Sequence, residues 1–343
     1  MSVREYVAAI HAHSVYSDGS GQVEEIIEAA QSARVDVLIL TDHNCLDARD
    51  LGYEGWHDDL LLIVGDEVSS RSGHVIALGV DTHVNHRQPL PDILEGIRSG
   101  GGTSYIAHPH GGCRPFLKWR DHSWQDWAAD SATGLELWSY MFDWISDFHY
   151  VKFPRFYRDP DACLRGPHPD TIAKWDELCQ RRRVVAFGGV DAHARKYPLL
   201  PLVVFPYETL FRTIRTHVLS EELTRDADHD IPLVLQAMSE GRCFLARDNL
   251  ADSSGTRFES TDGSLSMGSE SFFAEGTGLR VDIPVESDIR LLKDGTSILE
   301  QRGKAFEHTA DSPGVYRVEA RIDDLPWLFT NPIYLREPDT ASS

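Results

Sequence analysis

The stretch that decides the fold is VAAIHAH, residues 7–13, in which a short apolar run ends in two histidines. Four later apolar runs lead in the same way, within a few residues, to His, Asp or Glu. They are Val35–Leu40 with Asp42 and His43, Leu60–Val64 with Glu67, Ser104–Ala107 with His108, and Val184–Phe187 with Asp191 and His193. Five such runs indicate strands that carry metal-binding types of side chain to one place.

Helical patterns lie between several of these runs, at Val23–Ala33, Ile93–Arg98 and Thr171–Arg182. Strands that alternate with helices predict an α/β fold with a parallel sheet. In such sheets and barrels, the loops after the carboxyl ends of the strands converge on one face. We therefore expect the run-ending side chains to meet there. His74 fits less simply, because it opens a run instead of closing one.

The donor types favour particular metals. Imidazoles with a few carboxylates suit zinc, manganese or iron, whereas an all-oxygen shell would suit magnesium or calcium. A carboxylate shared by two cations, as Glu67 could be, holds them near a water that loses its proton at about neutral pH. Each motif alone also has a plain structural explanation, since Asp18-Gly19 is a common turn and a histidine at a strand end is usually only hydrogen-bonded.

Six short motifs follow one another along roughly the first two-thirds of the chain. They are His11-x-His13, Ser17-Asp18-Gly19, Thr41-Asp42-His43-Asn44, Gly65-x-Glu67, Ala107-His108-Pro109 and Gly189-x-Asp191-Ala192-His193. In this order and spacing, the sequence resembles the polymerase and histidinol phosphatase (PHP) superfamily of metallohydrolases. The resemblance implies a distorted (β/α)7 barrel of parallel strands, similar to a TIM barrel, with two or three divalent transition metal ions at its mouth.

The resemblance also implies which residues hold the ions. One ion would take His11, His13, Glu67 and Asp191, a second would share Glu67 and add His74 and His108, and a third would take Asp18, His43 and His193. Many relatives carry His at the position of Asp18.

Three residues are the candidates for catalytic or supporting roles. Asp42 would stand behind the ligands and orient an imidazole. His110 would be a general acid or would support a ligand, with a purely structural role as the alternative. His193 would combine ligation with catalysis. The remaining histidines considered are interpreted as surface or packing residues: His57, His83, His86, His122, His217, His229 and His308.

The resemblance leaves the substrate open. PHP relatives mostly cleave phosphate monoesters or diesters, and some are polymerase exonucleases. Another branch hydrolyses carbamates and aryl esters, and the Arg165-Gly166-Pro167 segment, the Gly-Gly-x-Asp-Ala-His motif and the β-rich tail resemble it most. We predict a phosphoesterase (EC 3.1) that uses a metal-bridging hydroxide. A carboxylic-ester or carbamate hydrolase is the alternative, and a non-catalytic metal-binding module is a lesser one.

A phosphate substrate requires cationic side chains near the metals. Arg195 and Lys196, just after His193, are the favoured candidates. Three further candidates lie in loops near the predicted site, namely Arg165, Lys118 and Arg114. The alternative is that these cations are simply solvated, as most loop Arg and Lys are.

Composition limits the partners. The formal net charge of −21 argues against a nucleic-acid partner, which would need clustered Lys and Arg. No stretch reaches the ~20 apolar residues that span a bilayer, and no basic, apolar leader precedes the first strand, so we expect a cytoplasmic protein without a membrane partner. The five cysteines are irregularly spaced, which indicates reduced thiols. The expected partner is a small-molecule substrate; a homo-oligomer is left open.

The chain divides near residue 250. Residues 1–250 are predicted to form the barrel, with an aromatic-rich insertion at about 139–170 that either shapes a partly apolar substrate pocket or packs outside the barrel or on another subunit. After the polar break Asp252-Ser253-Ser254-Gly255, apolar and polar residues alternate, and residues 256–337 are predicted to form a small immunoglobulin-like β-sandwich. A packing or assembly role is the default for this part, and recognition of part of the substrate is the alternative. The β-rich tail also suggests a carbohydrate or cell-surface binding protein, which the missing leader disfavours.

Overall fold

The computed structural model describes residues 3–110, 121–128, 131–147, 151, 158–196 and 203–337. The strands of the first 250 residues are β1 Arg4–Ile10, β2 Val37–Leu40, β3 Gly55–His57, β4 Leu60–Val64, β5 Asp66–Ser70, β6 Gly73–Leu78, β7 Thr103–Ile106, β8 Gly134–Ser139, β9 Val185–Gly189, β10 Arg195–Lys196, β11 Val203–Val204, β12 Ile214–Ser220 and β13 Cys243–Arg247. The helices are α1 Val23–Ser32, α2 Asp47–Asp50, α3 Leu90–Ser99, α4 Tyr140–Asp147, α5 Pro169–Arg181, α6 Tyr207–Leu210 and α7 Ala227–Ser239, with a 3-10 turn at Pro160–Cys163.

Strand pairings, with the chain connection from β4 to β5, link eight of the first nine strands in a ring; β3 lies outside it, paired with β4. β1 pairs in parallel with β2, and β2 with β4; after Gly65 the chain continues as β5. β6 lies antiparallel between β5 and β7, whereas β7, β8 and β9 are parallel. The ring returns to β1 through the Val190 amide, which donates to the Ile10 carbonyl at 3.0 Å, and through a parallel bridge between Ala12 and Ala192.

The expectation of a parallel sheet is corrected at several strands, β6 and β12 among them. β6 is antiparallel to both neighbours, and β12 is antiparallel to β1 and β13. β5 and β6 are joined by the tight turn Arg71–Ser72, and a two-residue connection can form only a hairpin. The architecture is therefore mixed α/β.

The strands bury both of their faces, which explains their continuous apolar runs. Ile10, Ile39 and Ile63 face a cluster that α7 closes with Val234. The alternate residues face a second cluster that includes the apolar side of α1. Every residue of β2 and β4 is buried, as expected for strands covered on both sides.

The C-terminal part is built from strands: β14 Arg257–Ser260, β15 Glu270–Phe272, β16 Gly278–Lys293, β17 Thr296–Thr309, β18 Gly314–Ile322, β19 Leu325–Thr330 and β20 Ile333–Arg336. It has its own apolar cluster, which also takes in Phe244 and Ala246 of β13. β13 and β19 pair antiparallel, with Phe244 opposite Thr330. One sheet therefore passes from the predicted barrel into the predicted sandwich, across the predicted boundary.

Among the described helices, none combines the length and the apolar character that crossing a membrane would require.

Candidate metal centre

Glu67 lies at the centre of a cluster of imidazoles. It is fully buried near the start of β5. Its Oε2 atom lies 3.1 Å from Nε2 of His11, 3.1 Å from Nε2 of His13 and 3.3 Å from Nδ1 of His43. Its Oε1 atom lies 2.8 Å from Nδ1 of His74 and 3.2 Å from Nε2 of His108. One carboxylate thus contacts five histidines through both of its oxygens.

The direction of β6 explains why His74 reaches this cluster. Because β6 runs antiparallel to β7, the first residues of β6 lie beside the residues that follow β7. The amide of Ala107 donates to the carbonyl of His74 at 3.0 Å, which brings His74 next to His108. A residue that opens an antiparallel strand therefore lies at the same edge of the sheet as residues that close parallel strands.

Possible ligand atoms converge in three overlapping groups, each spanning no more than 4.8 Å. The groups are His11, His13, Glu67 and Asp191; His43, Glu67 and His74; and His13, Asp18, His43 and His193. The structure therefore brings together all nine residues expected as metal ligands, with His108 joined to the cluster through Glu67. These groups differ from the expected ligand sets in two ways. His43 also lies with Glu67 and His74, and His13 also lies with Asp18, His43 and His193.

Unsatisfied polar atoms show that the first group fits a cation. The Nε2 atoms of His11 and His13 and the Oε2 atom of Glu67 are all buried without a hydrogen-bond partner. Such atoms are costly unless something satisfies them. Because the three atoms face one another and Oδ1 of Asp191 lies 3.2 Å from Nε2 of His13, a divalent cation would satisfy all of them.

The carboxylates make this interior strongly negative. Burial lowers the pKa of His13, but Asp191 and Glu67 outweigh burial and raise that pKa to about 10. Burial raises the pKa of Glu67, yet the surrounding imidazoles, His11 first, bring it well below its usual value. For Asp18, the nearby His193 overcomes burial and lowers the pKa to about 2. The site therefore favours positive charge, whether protons or metal ions.

Backbone strain marks the same residues. His11, His108 and Asp191 have φ values of 70°, 30° and 51°, a region that non-glycine residues rarely adopt. Strained conformations of this kind cost about 1–3 kcal/mol each and cluster at functional sites. The fold therefore holds three candidate ligands in conformations that their own backbone disfavours.

Glu136 supports two of the candidate ligands and was missed from the sequence. Its Oε1 atom lies 3.1 Å from Nδ1 of His11, and its Oε2 atom accepts from the amide of His108 at 2.7 Å. A Cβ atom on Gly189 would lie 2.2 Å from Oε1 of Glu136, so any larger residue there would displace one of the two. The available signal was an acidic residue inside the otherwise apolar strand β8.

The predicted role of Asp42 is corrected. Its carboxylate does not orient an imidazole directly in the described contacts. It accepts from the amide and the hydroxyl of Ser14 at 2.7 and 2.6 Å, and from the hydroxyl of Ser17 at 2.6 Å. Ser17 Oγ in turn lies 3.5 Å from Nδ1 of His13. Asp42 therefore holds the loop after His13, and reaches that imidazole only through Ser17.

Two other histidines differ in their relation to the cluster. His110 lies away from Glu67: its Nδ1 is 2.7 Å from Oγ1 of Thr171, and its ring stacks on His168. His122, interpreted from the sequence as a surface or packing residue, instead has its ring 5.1 Å from that of His74. Its position next to a candidate ligand could not be inferred, because no strand leads to it.

The predicted phosphate-binding cations are distributed unevenly. Arg195 has a guanidinium nitrogen 3.5 Å from Oδ2 of Asp18, at the exposed side of the cluster. Lys196 follows in β10, but its side chain lies outside the described part of the structure. Arg165 lines a neighbouring cavity. Arg114 and Lys118 fall outside the described residues.

That cavity, of about 600 Å³, lies next to the cluster. His108 and Glu136 form part of its wall. Phe142 of the aromatic-rich insertion also lines it, and its ring stacks on the imidazole of His108 at 3.9 Å between centroids. The part of the insertion that is described thus contributes to a pocket beside a candidate metal ligand.

Comparison with known proteins gives only distant similarities. No protein-family model matches the sequence, and no curated protein matches it. A two-domain protein from Bacteroides vulgatus that contains a predicted PHP-like metal-dependent phosphoesterase is 14% identical, with a TM-score of 0.46 over 96% of this chain and 95% of that chain.

Two further solved structures cover less of the chain. A candidate metal-dependent phosphoesterase from Bifidobacterium adolescentis is 13% identical, with a TM-score of 0.38 over 59% of this chain and 93% of its own. An amidohydrolase from Chromobacterium violaceum with bound sulfate and no metal is 17% identical, with a TM-score of 0.34; the match covers 59% of this chain and 95% of that chain. All three TM-scores are below 0.5, so the residues of the site, rather than these similarities, have to identify the chemistry.

Proposed function

We propose that this protein is a metal-dependent hydrolase of the PHP superfamily, with a distorted (β/α)7 barrel, that cleaves a phosphoester of a small molecule. One observation carries the proposal: buried, unsatisfied atoms of His11, His13 and Glu67 converge on one point beside Asp191. Zinc, manganese and iron suit this donor set. When bound, two or three such cations would lower the pKa of a water molecule and offset charge on the oxygens of the substrate.

The residues of the chain have separate tasks in this proposal. His11, His13, Glu67 and Asp191 would hold the most buried cation, because their ligand atoms lie within 4.8 Å of one another. His43 and His74, with His108 on the same carboxylate, would hold a second beside Glu67. The group with Asp18 and His193 lies nearer to solvent, since the side chain of Asp18 is 45% exposed, and it would face the substrate.

Supporting residues keep these groups in place. Glu136 would hold the proton on Nδ1 of His11, so that Nε2 stays available as a ligand. Asp42 would fix the loop after His13 through Ser14 and Ser17. Arg195 would bind a phosphate oxygen, for which it would have to exchange its contact with Asp18.

One observation favours the alternative substrate, a carboxylic ester or a carbamate. Within the described residues, the ion pairs of the candidate ligands include a single guanidinium, that of Arg195, and it already faces Asp18. Arg binds phosphate through strong, often bidentate hydrogen bonds, which this guanidinium can form only by leaving Asp18. An uncharged ester would need no guanidinium.

Turnover of three chromogenic substrates distinguishes these functions. Protein reconstituted separately with manganese, zinc and iron is assayed on p-nitrophenyl phosphate, bis-p-nitrophenyl phosphate and p-nitrophenyl acetate. Asp191→Ala serves as the inactive variant, and Asp50→Ala, an exposed carboxylate on α2, as the matched control. Phosphate turnover that Asp191→Ala abolishes and Asp50→Ala retains supports the phosphoesterase. Turnover of the acetate alone supports the alternative, and no turnover with bound metal supports a non-catalytic module.

A further inference from the structure

The cavity beside His108 is lined from two parts of the chain. One side consists of residues from β8, α4 and α5 of the N-terminal part, and the other of residues from β16, β18 and β19 of the C-terminal part. We propose that this cavity binds the organic group of the substrate, and that this group is an apolar body with an anionic end. The inference rests on the proposed function, since it takes the scissile bond to lie at the metal centre.

The cavity reaches the metal centre through two shared residues. His108 and Glu136 line it, and the same two residues belong to the cluster: His108 contacts Glu67, and Glu136 contacts His11. Phe142 lies against the ring of His108 and also lines the cavity. A molecule that fills the cavity would therefore extend directly from the metal ligands.

The walls suit an apolar group of moderate size. Phe142 lines the side nearer to His108. Leu292 and Phe329 line the side formed by the C-terminal strands, and the ring of Trp138 lies 6.1 Å from that of Phe329. A volume of about 600 Å³ is in the range of sites that enclose whole small organic molecules. Such walls would bind the organic part of an ester far better than they would bind a free phosphate ion.

The charged residues of β18 are the reason for proposing an anionic end on the bound group. Alternate residues of a strand share one face, so Arg317, Glu319 and Arg321 all point to the cavity side, and all three line it. Arg317 is satisfied, because it forms two bonds to Asp176, at 2.7 and 2.8 Å, and one to Glu319 at 2.6 Å.

Arg321 differs from Arg317 in having no such partner. Within the part of the chain that the structure describes, no carboxylate lies within ion-pair distance of its guanidinium, although its side chain is only partly exposed. The four carboxylates that line the cavity already have partners: Asp176 and Glu319 contact Arg317, Glu136 contacts His11 and His108, and Asp143 accepts from Trp138. An unpaired guanidinium beside apolar side chains is suited to a carboxylate or phosphate of a bound molecule. The C-terminal strands would thereby supply substrate recognition in addition to packing.

Binding of a fluorescent probe tests the inference without any hydrolysis. The probe 6-hydroxy-2-naphthoate has a flat apolar body and a carboxylate, and 2-naphthol lacks the carboxylate. We expect the metal-reconstituted protein to bind the naphthoate at least about tenfold more tightly, as expected for one charge-assisted hydrogen bond. Arg321→Gln should remove this preference and leave the affinity for 2-naphthol unchanged. The control Arg98→Gln, an exposed arginine on α3 that pairs with Glu95, should change neither affinity.

A second pair of variants tests the location. Ala173 lies at the exposed edge of the cavity on α5, so Ala173→Trp should fill the entrance and weaken both probes roughly tenfold. Gln180→Trp places the same indole on the same helix, outside the cavity, and should have no effect. Equal binding of the naphthoate by wild type, Arg321→Gln and Ala173→Trp would overturn the inference. Because binding is read without turnover, its loss and the loss of hydrolase activity are separate results.

Discussion

Glu136 and Glu67 contact opposite nitrogens of the same imidazole, that of His11. The Glu136 carboxylate lies 3.1 Å from Nδ1 of His11, while Nε2 of the same ring faces Glu67 at 3.1 Å. A carboxylate behind an imidazole fixes the tautomer and the orientation of the ring, and it makes the other nitrogen a better donor to a metal. Metal affinity should therefore depend on a residue that would not touch the metal.

Replacing Glu136 tests this dependence. Glu136→Gln keeps the shape of the side chain but removes its charge, so we expect metal affinity to fall about 10–100-fold. The measurement is competition with a chromophoric chelator for zinc, with circular dichroism to verify the fold. An unchanged affinity in a folded variant would show that Glu136 has only a packing role.

Gly189 offers an independent way to displace the same carboxylate. In Gly189→Ala, the new Cβ would meet Oε1 of Glu136 at 2.2 Å, so one of the two must shift. We expect a loss of metal affinity similar to that of Glu136→Gln. Gly96→Ala, on α3 with nothing within 4 Å of its new Cβ, is the matched control and should bind metal normally. Equal affinities for the two alanine variants would contradict the close approach.

The buried and the exposed ligand groups should lose metal separately. The side chain of Asp191 is 6% exposed and belongs to the most buried group, whereas that of Asp18 is 45% exposed. Asp18→Ala should lower the metal content by about one ion per chain and leave the buried group filled. Asp191→Ala should lower it further. Metal content is measured by mass spectrometry after gel filtration. An Asp18→Ala protein that holds no metal at all would contradict this division.

His217 predicts a dependence of stability on pH that has no connection with the metals. The sequence predicts a surface or packing residue at this position. In the structure His217 is fully buried, with Nδ1 2.9 Å from Glu5 and Nε2 2.9 Å from Asp248. Burial lowers its pKa, but the hydrogen bonds to Asp248 and Glu5 raise it to about 9. Since the folded pKa exceeds the unfolded value of about 6.5, the stabilisation is complete below about pH 6.5 and is lost as pH rises through 9.

We expect this loss to be on the order of 3 kcal/mol between pH 6 and pH 10. Chemical denaturation of the metal-loaded protein across this range measures it. His217→Gln should be less stable at pH 6 and should lack this part of the pH dependence, whereas His229→Gln, at an exposed position, should retain it. The same pH dependence in wild type and His217→Gln would exclude the imidazole as its source.

Residues at strand ends were the part of the site that could be predicted from the sequence. The run that ends at Ile10 leads to His11, and the run that ends at Val64 leads to Glu67, because a strand carries the residue after it to the edge of the sheet. Glu136 lies inside a strand instead, where a sequence does not reveal whether a carboxylate is paired. The same limit applied to Asp42, whose partners Ser14 and Ser17 are brought to it by the loop after β1.

The fold was predictable in its elements but not in all of its pairings. The apolar runs predicted β2 and β4 to within about two residues, since strands buried on both faces have no polar alternation. The antiparallel direction of β6 depends on the short turn Arg71–Ser72, and treating every run as parallel made His74 appear out of place. The pairing of β13 with β19 is a contact between distant segments, which no local pattern predicts.

Anomalous diffraction from crystals of the zinc- or manganese-reconstituted protein, collected on both sides of the absorption edge, tests the central claim most directly. The account predicts a strong peak within roughly 2.5 Å of Nε2 of His11, Nε2 of His13 and a carboxylate oxygen of Glu67. It also predicts at least one further peak beside the same carboxylate, towards His43 and His74. Ordered density for these side chains with no anomalous peak among them, at millimolar metal, would contradict the assignment of a metal centre.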